Sequence, residues 1–151
     1  MKALIVYDSV YGNTEKIARA MAEAIVPPDE VNVLRAGVTD PSELASIDLL
    51  IVGSPTHGGR PTPVVQEFLN KVDQPSLEGI NVTAFDTRAT SKFTRIFGYA
   101  AGRIAGHLKR KSGTLIASPE GFFVTGTKGP LKEGELELAA DWAKGILGSK
   151  K

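Results

Sequence analysis

Ser9-Val10-Tyr11-Gly12-Asn13-Thr14 is the stretch on which the fold turns. It follows the apolar run Ala3-Leu4-Ile5-Val6-Tyr7 and opens a segment with Ile17, Met21, Ala24 and Ile25 at helical spacing. A buried strand, a short hydroxyl-rich turn and a helix N-terminus therefore come in order. The first backbone N–H groups of a helix have no partner within it, and the dipole there is positive. Ser9 and Thr14 add hydroxyls, Asn13 adds an amide, and Gly12 lets the backbone approach closely. The combination suits a terminal phosphate monoester held by neutral donors, because the loop has no Lys or Arg. Taken alone, the hexapeptide also reads as a Gly-containing β–α turn with an Asn cap.

Outward from this loop, apolar runs alternate with helical patterns. Strands are expected at Lys2–Tyr7, Val31–Arg35, Asp48–Gly53, Asn81–Asp86 and Thr114–Ala117. Leu4–Tyr7, Leu49–Val52 and Leu115–Ala117 are continuously apolar, as parallel strands covered on both faces should be. Val31-Asn32-Val33 alternates, which fits a half-exposed edge. Helices are expected from Asn13 to Ile25, stopped by Pro27-Pro28, and from Pro63 with Thr62 as cap, burying Val65, Phe68, Leu69 and Val72. A third runs from Thr94 to Ser112, and a fourth from Glu133 to Leu147 with Leu136, Ala139, Ala143, Ile146 and Leu147 inward. Asp40-Pro41-Ser42-Glu43 has the pattern of a capped short helix. Strand–helix alternation over five strands implies an α/β, doubly wound parallel sheet with helices on both faces. Ligands of such sheets sit beyond the strand C-termini, where strand order reverses.

Bulk properties narrow the possibilities. A chain of 151 residues suits one domain spanning 1–151, large enough for a core without metal or disulfide staples. It has no Cys, which excludes disulfides, a thiolate nucleophile and cysteine-held clusters, and with two distant His no His-rich metal site is expected. No stretch approaches the apolar length of a membrane span, and the N-terminal run is too brief for a signal peptide. A cytoplasmic location and a monomer are the expectations. The net charge is +1 but unevenly spread: Arg88 to Lys111 holds seven Lys/Arg and no acid, which leaves eleven bases against seventeen acids elsewhere. This basic segment, 88–111, reads as a docking face for an acidic protein partner or as a solvated helix face. Nucleic acid is a poor fit, because the helical stripe from Arg103 to Lys111 carries no aromatic for base stacking.

Three loops leave strand C-termini: Asp8–Thr14, Ser54–Pro61 and Asp86–Phe97. The first resembles the phosphate loop of flavodoxins, which has the form Ser/Thr-x-Thr/Tyr-Gly-x-Thr and holds the phosphate of FMN. The second, Ser54-Pro55-Thr56-His57-Gly58-Gly59-Arg60-Pro61, resembles the loop that covers one face of the isoalloxazine. A Trp is usual there; this chain has His57, which either stacks or is simply exposed. Across Gly58-Gly59 the resemblance implies a peptide whose carbonyl can flip toward flavin N5 and stabilise the one-electron-reduced state. Glycine tolerates both orientations. In the third loop Asp86, Thr87, Arg88, Ala89 and Thr90 fall where backbone groups contact the uracil-like edge of the ring. Phe93 falls where flavodoxins place a Tyr, with Phe97 and Tyr99 as competitors for that face and a core role as the other reading. Trp142 reads as packing.

The resemblance spans the whole chain and is to the short-chain flavodoxins, with sheet order 2-1-3-4-5 and FMN as cofactor. It implies a non-enzymatic carrier of single electrons between protein redox partners. The same fold also serves small FMN-dependent oxidoreductases of the NAD(P)H:quinone reductase or porphyrinogen oxidase type, so that reading stays open. One departure stands out: flavodoxins are usually acid-rimmed, whereas Arg60, Arg88 and Lys92 fall on the expected rim and would favour the reduced anion. Receiver domains share the sheet order but need clustered acids after the first strand, where this chain has only Asp8. Neither Gly-x-Gly-x-x-Gly nor a Gly-Lys-Ser/Thr loop is present.

Overall fold

The computed structural model describes residues 1–73, 76–89 and 99–149. Five strands form the expected parallel order: β1 (Lys2–Tyr7), β2 (Glu30–Arg35), β3 (Leu49–Pro55), β4 (Asn81–Ala89) and β5 (Thr114–Leu115), arranged β2-β1-β3-β4-β5. A sixth, β6 (Glu120–Val124), also runs parallel to β4. The register sets Tyr7 beside Gly53 and Gly53 beside Phe85, so β1, β3 and β4 end at one level.

Side-chain alternation along the central strands builds two cores. Leu4, Val6, Leu50, Val52, Val82 and Ala84 face α2 (Pro63–Lys71) and α3 (Ala100–Arg110), where Val65, Phe68, Leu69, Ile104 and Leu108 complete the layer. Ala3, Ile5, Leu49, Ile51 and Phe85 face α1 (Asn13–Ala24) and α4 (Glu135–Ser149), meeting Ile17, Met21, Ala139, Ala143 and Ile146. Both sheet faces are thus covered, which is why β1 and β3 had to be apolar without alternation. The edge strand β2 alternates between half-buried and exposed. Trp142 packs edge-on against Phe85 and Phe122, at 6.5 and 6.1 Å between ring centres, in the structural role expected of it.

The local signals act where the chain placed them. Thr62 caps α2, its hydroxyl accepting from the Val65 N–H at 3.4 Å with Pro63 in the first turn. Asp40 accepts from the Ser42 N–H at 2.9 Å and starts a 3-10 turn over Pro41–Ser46.

Four expectations need correction. The strand expected over Thr114–Ala117 ends at Leu115, and β6 resumes after a detour. Between the paired positions Val82 and Phe85 of β4, the neighbouring chain runs from Leu115 to Glu120, two residues more than a continuous ladder needs. Pro119 has no N–H for the ladder, and the Ala117 carbonyl accepts instead from the Thr83 hydroxyl at 3.0 Å. Because β6 pairs with Asp86 to Ala89, β4 continues three residues past its expected end at Asp86.

The third helix was expected from Thr94, but Tyr99 is extended and the helix begins at Ala100. Its first donors are satisfied there, Ala100 N–H by the Thr56 hydroxyl and Ala101 N–H by the Asp86 carboxylate. Thr94 itself lies outside the described residues. Leu136, expected inward on the last helix, is exposed, whereas Ala139, Ala143, Ile146 and Leu147 face the core as expected.

Candidate functional site

At the C-terminal ends of β1, β3 and β4 lies a cleft of about 250 Å³. Its first wall is the loop between β1 and α1. Gly12 caps α1 with φ of 90°, a conformation that L side chains rarely adopt, and this turns the chain sharply into the helix. The Ser9 hydroxyl accepts from the N–H groups of Gly12 at 3.1 Å and Glu15 at 3.3 Å, holding the loop in shape. Among the described residues nothing accepts from the N–H groups of Val10, Tyr11, Asn13 or Thr14. Ser9, Val10, Tyr11, Asn13 and Thr14 all line the cleft, so the donor-rich end of α1 opens into it.

The second wall is the loop after β3. Pro55, Thr56, His57, Gly58 and Gly59 line the cleft as expected. His57 and Arg60 exchange backbone hydrogen bonds, His57 N–H to Arg60 O at 2.9 Å and Arg60 N–H to His57 O at 3.1 Å. Gly58 and Gly59 between them have φ of 59° and 79°. Two positive φ values in a two-residue loop make a type I′ turn, which this Gly-Gly pair fits. The Arg103 guanidinium of α3 donates to the Gly59 carbonyl at 2.8 Å and ties the turn to that helix.

The third wall comes from β4. Thr87 and Ala89 line the cleft. The Thr87 hydroxyl meets that of Thr14 at 2.7 Å, and the Thr87 carbonyl accepts from the Thr56 N–H at 2.9 Å. These two bonds lock the three loops into one assembly.

Not every expected site residue reaches the cleft. Ser54 is wholly buried below it, accepting from the Thr62 N–H at 3.0 Å and donating to the Pro55 carbonyl. Asp86 is also wholly buried and accepts from Nε and Nη2 of Arg88, at 2.7 and 2.8 Å. Arg88 is stacked under the Tyr99 ring, 3.4 Å from its centre, with the Gly121 backbone against its guanidinium. Its charge is therefore compensated, and it is not the free rim cation expected from sequence. Gly12 shapes the first loop without lining the cleft. Thr90, Lys92, Phe93 and Phe97 lie outside the described residues.

Two residues absent from the sequence expectation also line the cleft, Val124 at the end of β6 and Thr127 after it. The same segment reaches α1, where the Asn13 side-chain amide donates to the Lys128 carbonyl at 3.1 Å and Lys128 Nζ lies 5.9 Å from the Tyr11 ring centre. Reading Gly121-Phe122-Phe123-Val124 as a strand would have brought this turn to the same edge as the other loops.

Two acids border the donor-rich end, and both are compensated. Arg35 approaches Asp8 at 3.8 Å and Glu15 at 3.3 Å, and the Thr62 hydroxyl donates to Asp8 at 2.6 Å. The hydrogen bond from Arg19, aided by the charges of Arg19 and Arg35, holds the Glu15 carboxyl below the usual carboxylate range. An incoming anion thus meets open N–H groups and little uncompensated negative charge. Among the described residues no group of His, Asp and Glu is arranged to hold a metal ion.

A parallel sheet of this order, with its cleft beyond the ends of β1 and β3, between which strand order reverses, defines the doubly wound class that takes ligands at such a reversal. A family model described as Flavodoxin domain matches residues 4–96, and the chain belongs to that family. The structure superposes on oxidised Flavodoxin 2 from Bacillus cereus with a TM-score of 0.82 at 24% identity, covering 98% of this chain and 99% of that one. An uncharacterised protein of Methanocaldococcus jannaschii is 38% identical over 77 residues, 48% of this chain and 20% of the relative. An NAD(P)H dehydrogenase (quinone) of Brucella anthropi is 30% identical over 92 residues, 47% of this chain and 46% of the relative. The chain therefore spans less than half the length of these curated relatives. FMN is the cofactor of the family, as the sequence resemblance implied. The donor set fits it: unpartnered helix N–H groups and a hydroxyl pair at one end, and a turn of two glycines beside a planar imidazole at another.

Proposed function

We propose that this chain is a non-enzymatic carrier that holds one FMN in the cleft and passes single electrons between protein partners. Bound FMN supplies the one-electron chemistry, and the chain's residues position it. The N–H groups of Val10, Tyr11, Asn13 and Thr14 hold the phosphate, with the Thr14 hydroxyl and the Asn13 amide beside them. His57 and the Gly58-Gly59 turn cover one side of the ring, while Thr87 and Ala89 line its polar edge. Free to turn about two glycines, the Gly58 carbonyl can accept a hydrogen bond from a ring N–H or turn away from it. Neither Ser54 nor Asp86 touches the cofactor; they brace the loops that do.

The observation that carries this reading is the locking of three loops around the open end of α1 by the Thr14–Thr87 and Thr56–Thr87 bonds. Residues 1–151 work as one unit, as a monomer in the cytoplasm. No described helix is long and apolar enough to cross a membrane. The basic segment 88–111, in which Lys109 is exposed, gives an acidic partner its docking face.

Titrating the purified protein with FMN, then with electrons, tests the assignment. A yellow one-to-one complex that accepts two separate electrons supports it; absence of FMN binding removes it. Rapid NAD(P)H-to-quinone turnover without a reductase would instead favour the enzyme reading, which the similarity to the Brucella anthropi quinone dehydrogenase supports.

A further inference from the structure

A second concavity of about 400 Å³ is lined by residues of α2, of α3 and of the segment that follows the Gly58-Gly59 turn. Arg60, Arg103, His107 and Arg110 line it, Gln66 closes one end, and no acid is among its lining residues. Neither Arg60 nor Arg110 has a carboxylate partner among the described residues. Gly102 and Gly106 form its floor.

Those two glycines sit inside α3, where glycine is the least favourable residue after proline. Close packing does not require them. A Cβ on Gly102 would meet nothing within 4 Å, and one on Gly106 would meet only Arg110 Nη1 at 3.5 Å. They leave room rather than permit contact between elements. The guanidinium groups of Arg60 and Arg110, without carboxylate partners among the described residues, match the multiple oxygens and charges of a phosphate, which guanidinium binds through paired hydrogen bonds. A single carboxylate would satisfy one of these two guanidinium groups and leave the other without a partner.

We infer that the groove between Arg60 and Arg110 is a binding site for a phosphate-bearing small molecule, separate from the cofactor's own phosphate loop. It does not depend on the redox reading. Arg60 belongs to the turn that covers the cofactor cleft and Arg103 holds the carbonyl of that turn, so a ligand here touches the element nearest the ring.

Inorganic pyrophosphate titrated calorimetrically into the FMN-loaded full chain tests the site, with AMP and a glutamate-rich peptide as parallel probes. One-to-one binding of pyrophosphate is expected. Arg110→Gln should weaken it about tenfold by removing one charge-assisted contact. Gly102→Leu should abolish it while the helix, given a better former, keeps its circular dichroism and melting temperature. Tighter binding of AMP than of pyrophosphate assigns the source to a nucleotide, and equal or weaker binding assigns it to the free anion. If the chain takes up no FMN, pyrophosphate bound at the Ser9–Thr14 loop will respond to Thr14→Val and ignore Gly102→Leu. Binding indifferent to both groove variants, no binding at all, or displacement by the acidic peptide at lower concentration would overturn the assignment.

Discussion

Arg88→Gln should destabilise the protein while leaving FMN binding nearly intact. In the wild-type protein Arg88 makes two short bonds to Asp86, whose side chain is 0% exposed, while the Arg88 side chain is 15% exposed. Removing one partner of a buried pair leaves the other charge without compensation, at a typical cost of 3–5 kcal/mol. Asp86 keeps the Ala101 N–H as a donor, and Arg88 retains some contact with water, so the lower end applies, about 3 kcal/mol. Loss of the cation–π contact with Tyr99 falls within that figure. For a chain of this size about 3 kcal/mol corresponds to a fall of roughly 6–12 °C in melting temperature. Urea unfolding of the FMN-free protein gives the free energy directly. The Asp86→Asn/Arg88→Gln double variant should lose less than the sum of the two single variants, because neither charge is then stranded. A single-variant loss below about 1 kcal/mol, the level of an exposed ion pair, would show that no buried charge is stranded. So would a marked drop in the flavin potential at unchanged stability, which is what a free rim cation would produce.

Thr14→Val should lower stability by about 1–2 kcal/mol and weaken FMN binding about tenfold, since a buried hydroxyl pair loses one member. Fluorescence quenching reads the affinity, and Thr14→Ser should restore most of it. Gly59→Ala should cost the turn about 1–2 kcal/mol at a φ of 79° and change the gap between the two one-electron potentials. The change should be on the order of 50 mV, as read by spectroelectrochemistry; an unaltered gap and unaltered stability would show that the turn does not adjust. Burial, then the charges of Arg110 and Lys111, push the His107 pKa below its ordinary 6.5. The unfolded chain therefore binds a proton that the folded one resists, so stability should fall as pH drops through 6.5. Urea midpoints measured on either side of that pH should differ less in His107→Gln than in the wild type.

The architecture was legible because the two buried strands and the Ser9–Thr14 turn leave few alternatives. Leu4–Tyr7 and Leu49–Val52 have no polar face to offer, which forces helices onto both sides of the sheet. Twelve expected residues do line the cleft: Ser9, Val10, Tyr11, Asn13, Thr14, Pro55, Thr56, His57, Gly58, Gly59, Thr87 and Ala89. What sequence could not supply was direction. Along β4, side chains alternate across the sheet, so Thr87 and Ala89 point to the cleft while Asp86 and Arg88 turn to the opposite face and find each other. A list of consecutive residues after a strand end cannot distinguish these sets. Val124 and Thr127 escaped notice because Pro119 interrupts the pattern that would have marked β6. The start of α3 depended on acceptors from distant segments, Thr56 and Asp86, which no local signal announces.

The broken fifth position of the sheet also marks a point of growth. Leu115 and Glu120 are each anchored to β4 by their own pairs, so the residues between them bear little of the ladder. Lengthening a surface loop adds only about 0.6 kcal/mol of closure entropy for each doubling. Extra sequence, a fluorophore-carrying tag or even a grafted module could enter there and leave both halves of the sheet in register, making this seam a natural handle for engineering the molecule.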